Sequence, residues 1–343
     1  MFLQQEINEQ PQVIQRLYTE GRENIQQIAA AIRAFDPAFV CIAARGTSDN
    51  AARYAQYLFG AQAGLSVGLS APSLHTLYQA PPRLKQALVI GISQSGQAED
   101  VRRVLEDGNN QGALTVAITN DANSPLAQTA QYHIELLAGE EISIAATKTY
   151  TAQLMAVALL VTELIESDPM RTILADLPAQ IQATLESSAV IPSWADRYRY
   201  MTQFATIGRG YNYATAFEIS LKVKELCYIT GEGYSEADFR HGPIATVAQG
   251  FPMVVVAPQG IVLPNVLDLI SKLSERGAEL LIISNDDTAL KMGIQQMPLP
   301  VVPEWVSPIL AVIPGQVFAM QQALVRGYAV DKPRGLSKVT VTQ

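Results

Sequence analysis

The sequence predicts an α/β protein of two similar tandem domains, each a mostly parallel sheet flanked by helices, with an N-terminal helical arm and a C-terminal tail. Two observations carry this reading. Short apolar runs alternate with helical patterns along the chain, and the whole pattern occurs twice. The runs Ala38–Ala44 (AFVCIAA), Ala87–Ile92 (ALVIGI), Leu114–Thr119 (LTVAIT) and Tyr132–Leu136 (YHIEL) are rich in Val and Ile and read as buried parallel strands. Between them, Asp49–Phe59 and Glu99–Asp107 space their apolar residues as helices do. Such alternation is the signature of a sheet covered by helices on both faces. The repeat rests on two anchors. IAARGTSDNAA from Ile42 resembles TIGRGYNYATA from Thr206, so Arg45 and Arg209 stand 164 residues apart (209 − 45). VAITNDANSPLA resembles LIISNDDTAL, and Asn120 and Asn285 stand 165 apart (285 − 120). The seam is expected near Ser187–Ser193, dividing the chain into residues 1–187 and 194–343.

Composition narrows the function. The 343 residues are 48% hydrophobic, 16% charged and 7% aromatic, enough for large cores and inconsistent with disorder. Lys and Arg number 24 against 32 Asp and Glu, a formal net charge of −8 that argues against nucleic acid as a partner. A small anion is still open to it, because backbone amides and hydroxyls bind phosphate without net positive charge. Cys41 and Cys227 lie far apart and suit a reducing compartment rather than a disulfide framework. The opening MFLQQEINEQP lacks the basic and apolar regions of a signal peptide. The apolar runs Leu154–Ile165, interrupted by Thr162 and Glu163, and Ile309–Met320, broken by Pro314 and Gly315, are too short to span a membrane. A cytoplasmic protein without a membrane partner is expected.

Ligands of open α/β sheets bind beyond the carboxyl ends of the strands. Ser93-Gln94-Ser95-Gly96 follows a strand and precedes a helix, where unpaired amides, hydroxyls and the helix dipole favour an anion. The plainer alternative is that Ser95 only caps that helix. The corresponding second-half segment, Ala257-Pro258-Gln259-Gly260, has no serine, so one phosphate site is expected, in the first half. Arg45-Gly46-Thr47-Ser48 is either a second group of sugar or phosphate ligands or a capped turn. Neither a dinucleotide fingerprint nor a Walker lysine motif is present.

In AFEISLKVKELC, Glu218, Lys222 and Glu225 share one helix face, either as a solvated salt-bridge stripe or as a general base beside an ammonium. His241, in the turn RHGP, could move protons near neutral pH. His133 reads as structural and His75 has no obvious partner; the scattered His and Cys give no metal-ligand spacing, and no metal or cofactor is expected. The basic tail from Lys332 to Lys338 is either a solvated end or a lid that brings a lysine to a sugar carbonyl.

Taken in order, EINEQP, RGTS, SQSG, AGEEISIAATKTYTAQL, FEISLKVKELCYITGEGY, RHGP and PRGLSKVTV resemble the sugar-isomerase (SIS) family, in the double-SIS branch that includes the isomerase half of glucosamine-6-phosphate synthase. The resemblance covers nearly the whole chain. It implies two flavodoxin-like, three-layer SIS domains and a phosphorylated sugar as the partner. Ser93, Gln94 and Ser95, with Gly46, Thr47 and Ser48, would hold the phosphate and nearby hydroxyls, and Ile144, Ala146 and Thr147 would line the sugar pocket. Glu225 would shuttle a proton between C1 and C2, supported by Lys222 and Glu218. His241 would open the sugar ring, reaching in from the neighbouring subunit of a homodimer. Lys338 would stand where the family lysine forms a Schiff base with a ketose. Ala98 and Ala146 replace a threonine and a serine of the synthase, which points to a modified substrate or weaker affinity.

The synthase also carries a glutaminase domain with an N-terminal cysteine, whereas Phe2 follows Met1 here and residues 1–37 precede the first strand. The expected reaction is therefore deamination of glucosamine 6-phosphate to fructose 6-phosphate and ammonia, through an enediol(amine) and fructosimine. Related expectations are a galactosamine-6-phosphate deaminase, a fructosamine-6-phosphate deglycase, an isomerase like that of the glutamine–fructose-6-phosphate transaminases, and a sugar-phosphate sensor without turnover.

Overall fold

The computed structural model describes residues 1–338; Val339–Val341 of the PRGLSKVTV stretch lie outside the described residues. Strands β1 (Phe39–Ala44), β2 (Val67–Leu69), β3 (Ala87–Ile92), β4 (Leu114–Thr119) and β5 (Tyr132–Glu135) form one parallel sheet in the order β2-β1-β3-β4-β5. Strands β6 (Gln203–Gly208), β7 (Thr230–Ser235), β8 (Pro252–Val256), β9 (Glu279–Ser284) and β10 (Gln295–Pro298) form another, in the order β10-β9-β8-β6-β7. Read from its other edge the second sheet is β7-β6-β8-β9-β10, so both are wound alike. In this winding the switch points fall between β1 and β3 and between β6 and β8. Every residue of β3 and β4 is buried, which requires helices on both faces.

The helices before the seam are α1 (Phe2–Asn8), α2 (Gln10–Arg16), α3 (Arg22–Phe35), α4 (Gly46–Ala63), α5 (Ser73–Thr76), α6 (Glu99–Asn110), α7 (Pro125–Thr129), α8 (Lys148–Leu164) and α9 (Asp168–Ser188). Those after it are α10 (Ile191–Ala195), α11 (Tyr213–Cys227), α12 (Glu236–Arg240), α13 (Leu263–Glu275), α14 (Asp287–Lys291) and α15 (Ser307–Val325). Helix α6 turns Val101, Val104 and Leu105 onto the sheet. Helix α15 runs through Pro314 and Gly315 without a break, contrary to the interruption read from sequence, and most of its residues are buried. Gly315 lies against Ile219 of α11, so the two helices approach closely.

The duplication extends to backbone detail. Arg45 and Arg209 each end a strand in extended conformation, at φ −138° and −147°. The Thr119 hydroxyl accepts the Asp121 amide at 3.2 Å, and the Ser284 hydroxyl accepts the Asp286 amide at 2.9 Å.

The chain folds as two compact units, each around one sheet, and their limits depart from the linear division expected at residues 187 and 194. The first-sheet unit holds Gln10–Glu141, Lys148–Pro178 and, of the tail, Ser337 and Lys338. The second-sheet unit holds Met1–Glu9, Ile142–Thr147 and Ala179–Leu336. Hydrogen bonds explain the exchange. Within the second-sheet unit, the buried Glu6 carboxylate accepts the amides of Ile142 and Ser143. Asp331 accepts the Leu3 amide at 2.8 Å through its side chain and the Ile144 amide at 3.2 Å through its carbonyl. Gln316 of α15 donates to the Thr147 carbonyl at 3.4 Å.

Candidate active site

In the first-sheet unit, the loops following β1 and β3 flank the switch point. Ala44 pairs with Ile92, so Arg45 and Ser93 leave the sheet side by side. The Ser93 hydroxyl accepts the Gly96 amide at 3.1 Å, folding the loop into a tight turn. Gly96 holds φ +63°, which a side chain resists. The N-cap of α6 is Ala98, with no side-chain cap, and Ser95 instead accepts the Gln97 amide at 3.3 Å. Ser95 thus does not cap the helix, which was the plainer alternative. Gly46 and Thr47 open α4, while the Ser48 hydroxyl is buried and accepts a hydrogen bond from Gln153 at 2.9 Å.

Two features here were not singled out from sequence. Arg45 donates its Nε to Asp100 at 2.7 Å, and Asp100 is fully buried in the first turn of α6. Lys338 donates to the buried Glu141 carboxylate at 2.9 Å, so the tail lysine is not a solvated end. Glu141 also accepts the amide and hydroxyl of Thr149. A buried carboxylate needs such donors to stay charged.

The second-sheet unit carries Glu218, Lys222 and Glu225 on α11. Lys222 Nζ lies 2.6 Å from Glu225 and 3.5 Å from Glu218. The Lys222 and Glu218 side chains are 1% and 0% exposed, against 23% for Glu225. Burial rules out the solvated stripe that spacing alone allowed. It describes an ammonium held between two carboxylates, only one of which reaches solvent. The same unit contains Ile144 and Ala146, both half-buried, and the buried Thr147.

His241 caps the end of α12 through its amide, bonded to the Asp238 carbonyl at 3.0 Å. Its imidazole is exposed and makes no hydrogen bond or ion pair among the described residues. It lines a cavity of about 380 Å³ with Arg209, Glu236, Arg240, Asn265 and Asp268.

The strand-end turn after β8, the counterpart of the Ser93 loop, carries its own anion. Glu304 accepts the Ile261 amide at 2.8 Å and lies where a Cβ on Gly260 would stand. Among the remaining histidines, His133 accepts or donates with Thr119 at 2.8 Å, and burial pushes its imidazole below the usual range. His75 does have a partner: its Nδ1 lies 2.8 Å from Asp107, and both are buried. The pair is 32 positions apart and invisible to local spacing.

Comparison with known proteins accounts for both halves. Residues 39–163 and 202–326 each match the SIS domain. The chain belongs to the SIS domain family. Over 360 residues this double-SIS chain is 36% identical to glutamine–fructose-6-phosphate aminotransferase (isomerizing) of Gloeobacter violaceus, covering 99% of the chain and 58% of that protein. It thus spans a little over half the length of the curated relatives it matches. A provisionally assigned phosphosugar isomerase of Silicibacter pomeroyi DSS-3 is 32% identical, with a TM-score of 0.85 over 96% of this chain and 99% of that one. The C-terminal domain of glucosamine-fructose-6-phosphate aminotransferase from Francisella tularensis is 26% identical, with a TM-score of 0.89 over 97% and 98%. The SIS architecture is therefore that of sugar-phosphate isomerases.

Proposed function

We propose that the chain is an isomerase acting on an amino-sugar phosphate, and that it converts glucosamine 6-phosphate and water to fructose 6-phosphate and ammonia. The observation that carries this reading is the α11 cluster, a buried ammonium between two carboxylates with only Glu225 open to solvent. A base that moves a carbon-bound proton must be accessible, and its neighbour must tolerate negative charge developing on the substrate. Glu225 fits the first requirement and Lys222 the second, with Glu218 keeping Lys222 charged and in place.

In this mechanism the Ser93–Ser95 loop and Thr47 bind the phosphate. His241 passes a proton to the ring oxygen, giving the open-chain aldose. Glu225 removes the C2 proton as the carbonyl oxygen at C1 takes up charge, and the proton is returned to C1. The C2 amine becomes an imine, which water attacks to release ammonia and leave the ketose. Water in excess and dilute ammonia favour hydrolysis. Ile144, Ala146 and Thr147 line the sugar, and Lys338 is the amine that engages the ketose carbonyl. The exposed, unengaged His241 ring suits a residue that serves a neighbouring subunit of a homodimer.

Purified protein incubated with glucosamine 6-phosphate should release ammonia and fructose 6-phosphate in equal amounts. Glu225→Gln should abolish turnover while sugar-phosphate affinity changes only a few-fold. Persistent activity in that variant would remove Glu225 as the base. Binding without release of either product would favour a substrate with a substituted amine, or a sensor.

A further inference from the structure

We infer that Arg45 is a phosphate-binding residue of this protein, presenting its two Nη groups to the anion while buried Asp100 holds its Nε. The inference deepens the proposed function by assigning the charge that recognises the phosphate, and it rests on the phosphate loop of that reading.

Three observations in the first-sheet unit place the guanidinium there. The register Ala44 to Ile92 sets Arg45 beside Ser93, across the switch point from the Ser93–Gly96 loop. The side chain bonds to Asp100 in the first turn of α6, the same turn whose N-cap, Ala98, supplies no capping side chain. The guanidinium therefore lies over the helix start where an anion would be favoured. Only Nε is used, at 2.7 Å, and the Nη atoms have no partner among the described residues, with the side chain 51% exposed. Here the fork that matches two phosphate oxygens is left open.

The second-sheet unit supplies an internal control. Its equivalent arginine, Arg209, spends Nη1 on buried Glu236, which also accepts from Arg240. In that unit the loop equivalent to Ser93–Gly96 has its amide at Ile261 bonded to the carboxylate of Glu304. Where the protein provides its own anion the arginine is committed elsewhere. In the first-sheet unit no carboxylate of the described residues bonds to the Ser93–Gly96 amides, and the arginine is pinned by Asp100 with its fork open.

The test is binding of inorganic phosphate, measured calorimetrically, alongside steady-state kinetics with glucosamine 6-phosphate. Removing a charge-assisted pair should raise the dissociation constant for phosphate in Arg45→Gln by about 10- to 100-fold. The kinetic loss should fall on KM far more than on kcat. Arg45→Lys, which keeps the charge but loses the fork, should recover part of the affinity. Asp100→Asn should weaken phosphate binding less than Arg45→Gln does, since it loosens the guanidinium without removing it. If Arg45→Gln lowers the melting temperature but leaves phosphate affinity unchanged, the ion pair is structural and the inference fails. Absence of phosphate binding by the unmodified protein overturns it as well. Phosphate binding that depends on Arg45, in a protein that does not turn over glucosamine 6-phosphate, would uphold this inference and refute the reaction. Turnover with an unaltered KM in Arg45→Gln would do the reverse.

Discussion

Gly96→Ala is a demanding test of the loop geometry, because Gly46→Ala provides a matched control in the same unit. Both glycines have positive φ, +63° and +54°. An L-residue forced into that region loses roughly 1–2 kcal/mol, partly offset by about 0.4–1 kcal/mol from a stiffer unfolded chain. At Gly46 nothing lies within 4 Å of the added Cβ, so the net cost should be about 1 kcal/mol or less. At Gly96 the Cβ would come within 2.1 Å of Ser124 Oγ and 2.4 Å of Ser124 Cβ. Ser124 is fully buried and caps α7 by accepting the Ala127 amide at 3.3 Å, so it has little room to move. Overpacking adds about 1–3 kcal/mol and loss of the cap about 1 kcal/mol. The total for Gly96→Ala is about 2–5 kcal/mol. Urea denaturation followed by circular dichroism measures both variants in the same transition. If Gly96→Ala costs no more than Gly46→Ala, the tight packing of the loop on Ser124 is wrong.

Three further outcomes follow from charge and burial. Burial pushes the Glu163 carboxyl up, but hydrogen bonds from Arg171 and Arg22 outweigh it and hold the group below its ordinary value. A depressed folded-state pKa stabilises above the unfolded value near 4.3 and is lost as pH falls through the folded one. Glu163→Gln should therefore cost about 3 kcal/mol at pH 7, and the difference from the unmodified protein should shrink below about pH 4; a gap independent of pH would contradict this. Glu141→Gln should release the Lys338 tail, seen as several-fold faster tryptic cleavage after Lys338 by mass spectrometry, and an unchanged rate would deny the ion pair its role. Burial pushes the Cys227 thiol up to about 12, and its Sγ donates to the Ala319 carbonyl. Ellman's reagent at pH 8 should find Cys227 inert until the protein is denatured, whereas rapid native labelling would exclude the burial described.

Local pattern determined a large part of this protein. Strands β1, β3 and β4 were legible because fully or mostly buried parallel strands are short apolar runs, and β5 was legible from YHIEL although only Ile134 of its residues is buried. The SQSG loop and the shared face of Glu218, Lys222 and Glu225 were equally visible, since each is a matter of spacing within a few residues, and the repeat showed as similar segments 164 to 165 residues apart. Among the strands not read from the sequence, β2 is a three-residue edge and β7 the polar run TGEGYS, neither of which carries an apolar signal. Tertiary structure alone decided whether the α11 stripe is solvated, because burial depends on what packs against it, and α15 does so through Gly315. It also decided the long-range charge pairs, among which Arg45 with Asp100, His75 with Asp107, and Lys338 with Glu141 lie 55, 32 and 197 positions apart. Periodicity records which face of an element is buried and says nothing of which distant side chain arrives there. The exchange of Ile142–Thr147 into the second-sheet unit was hidden for the same reason, since it depends on Glu6 and Asp331 meeting that segment's amides in three dimensions.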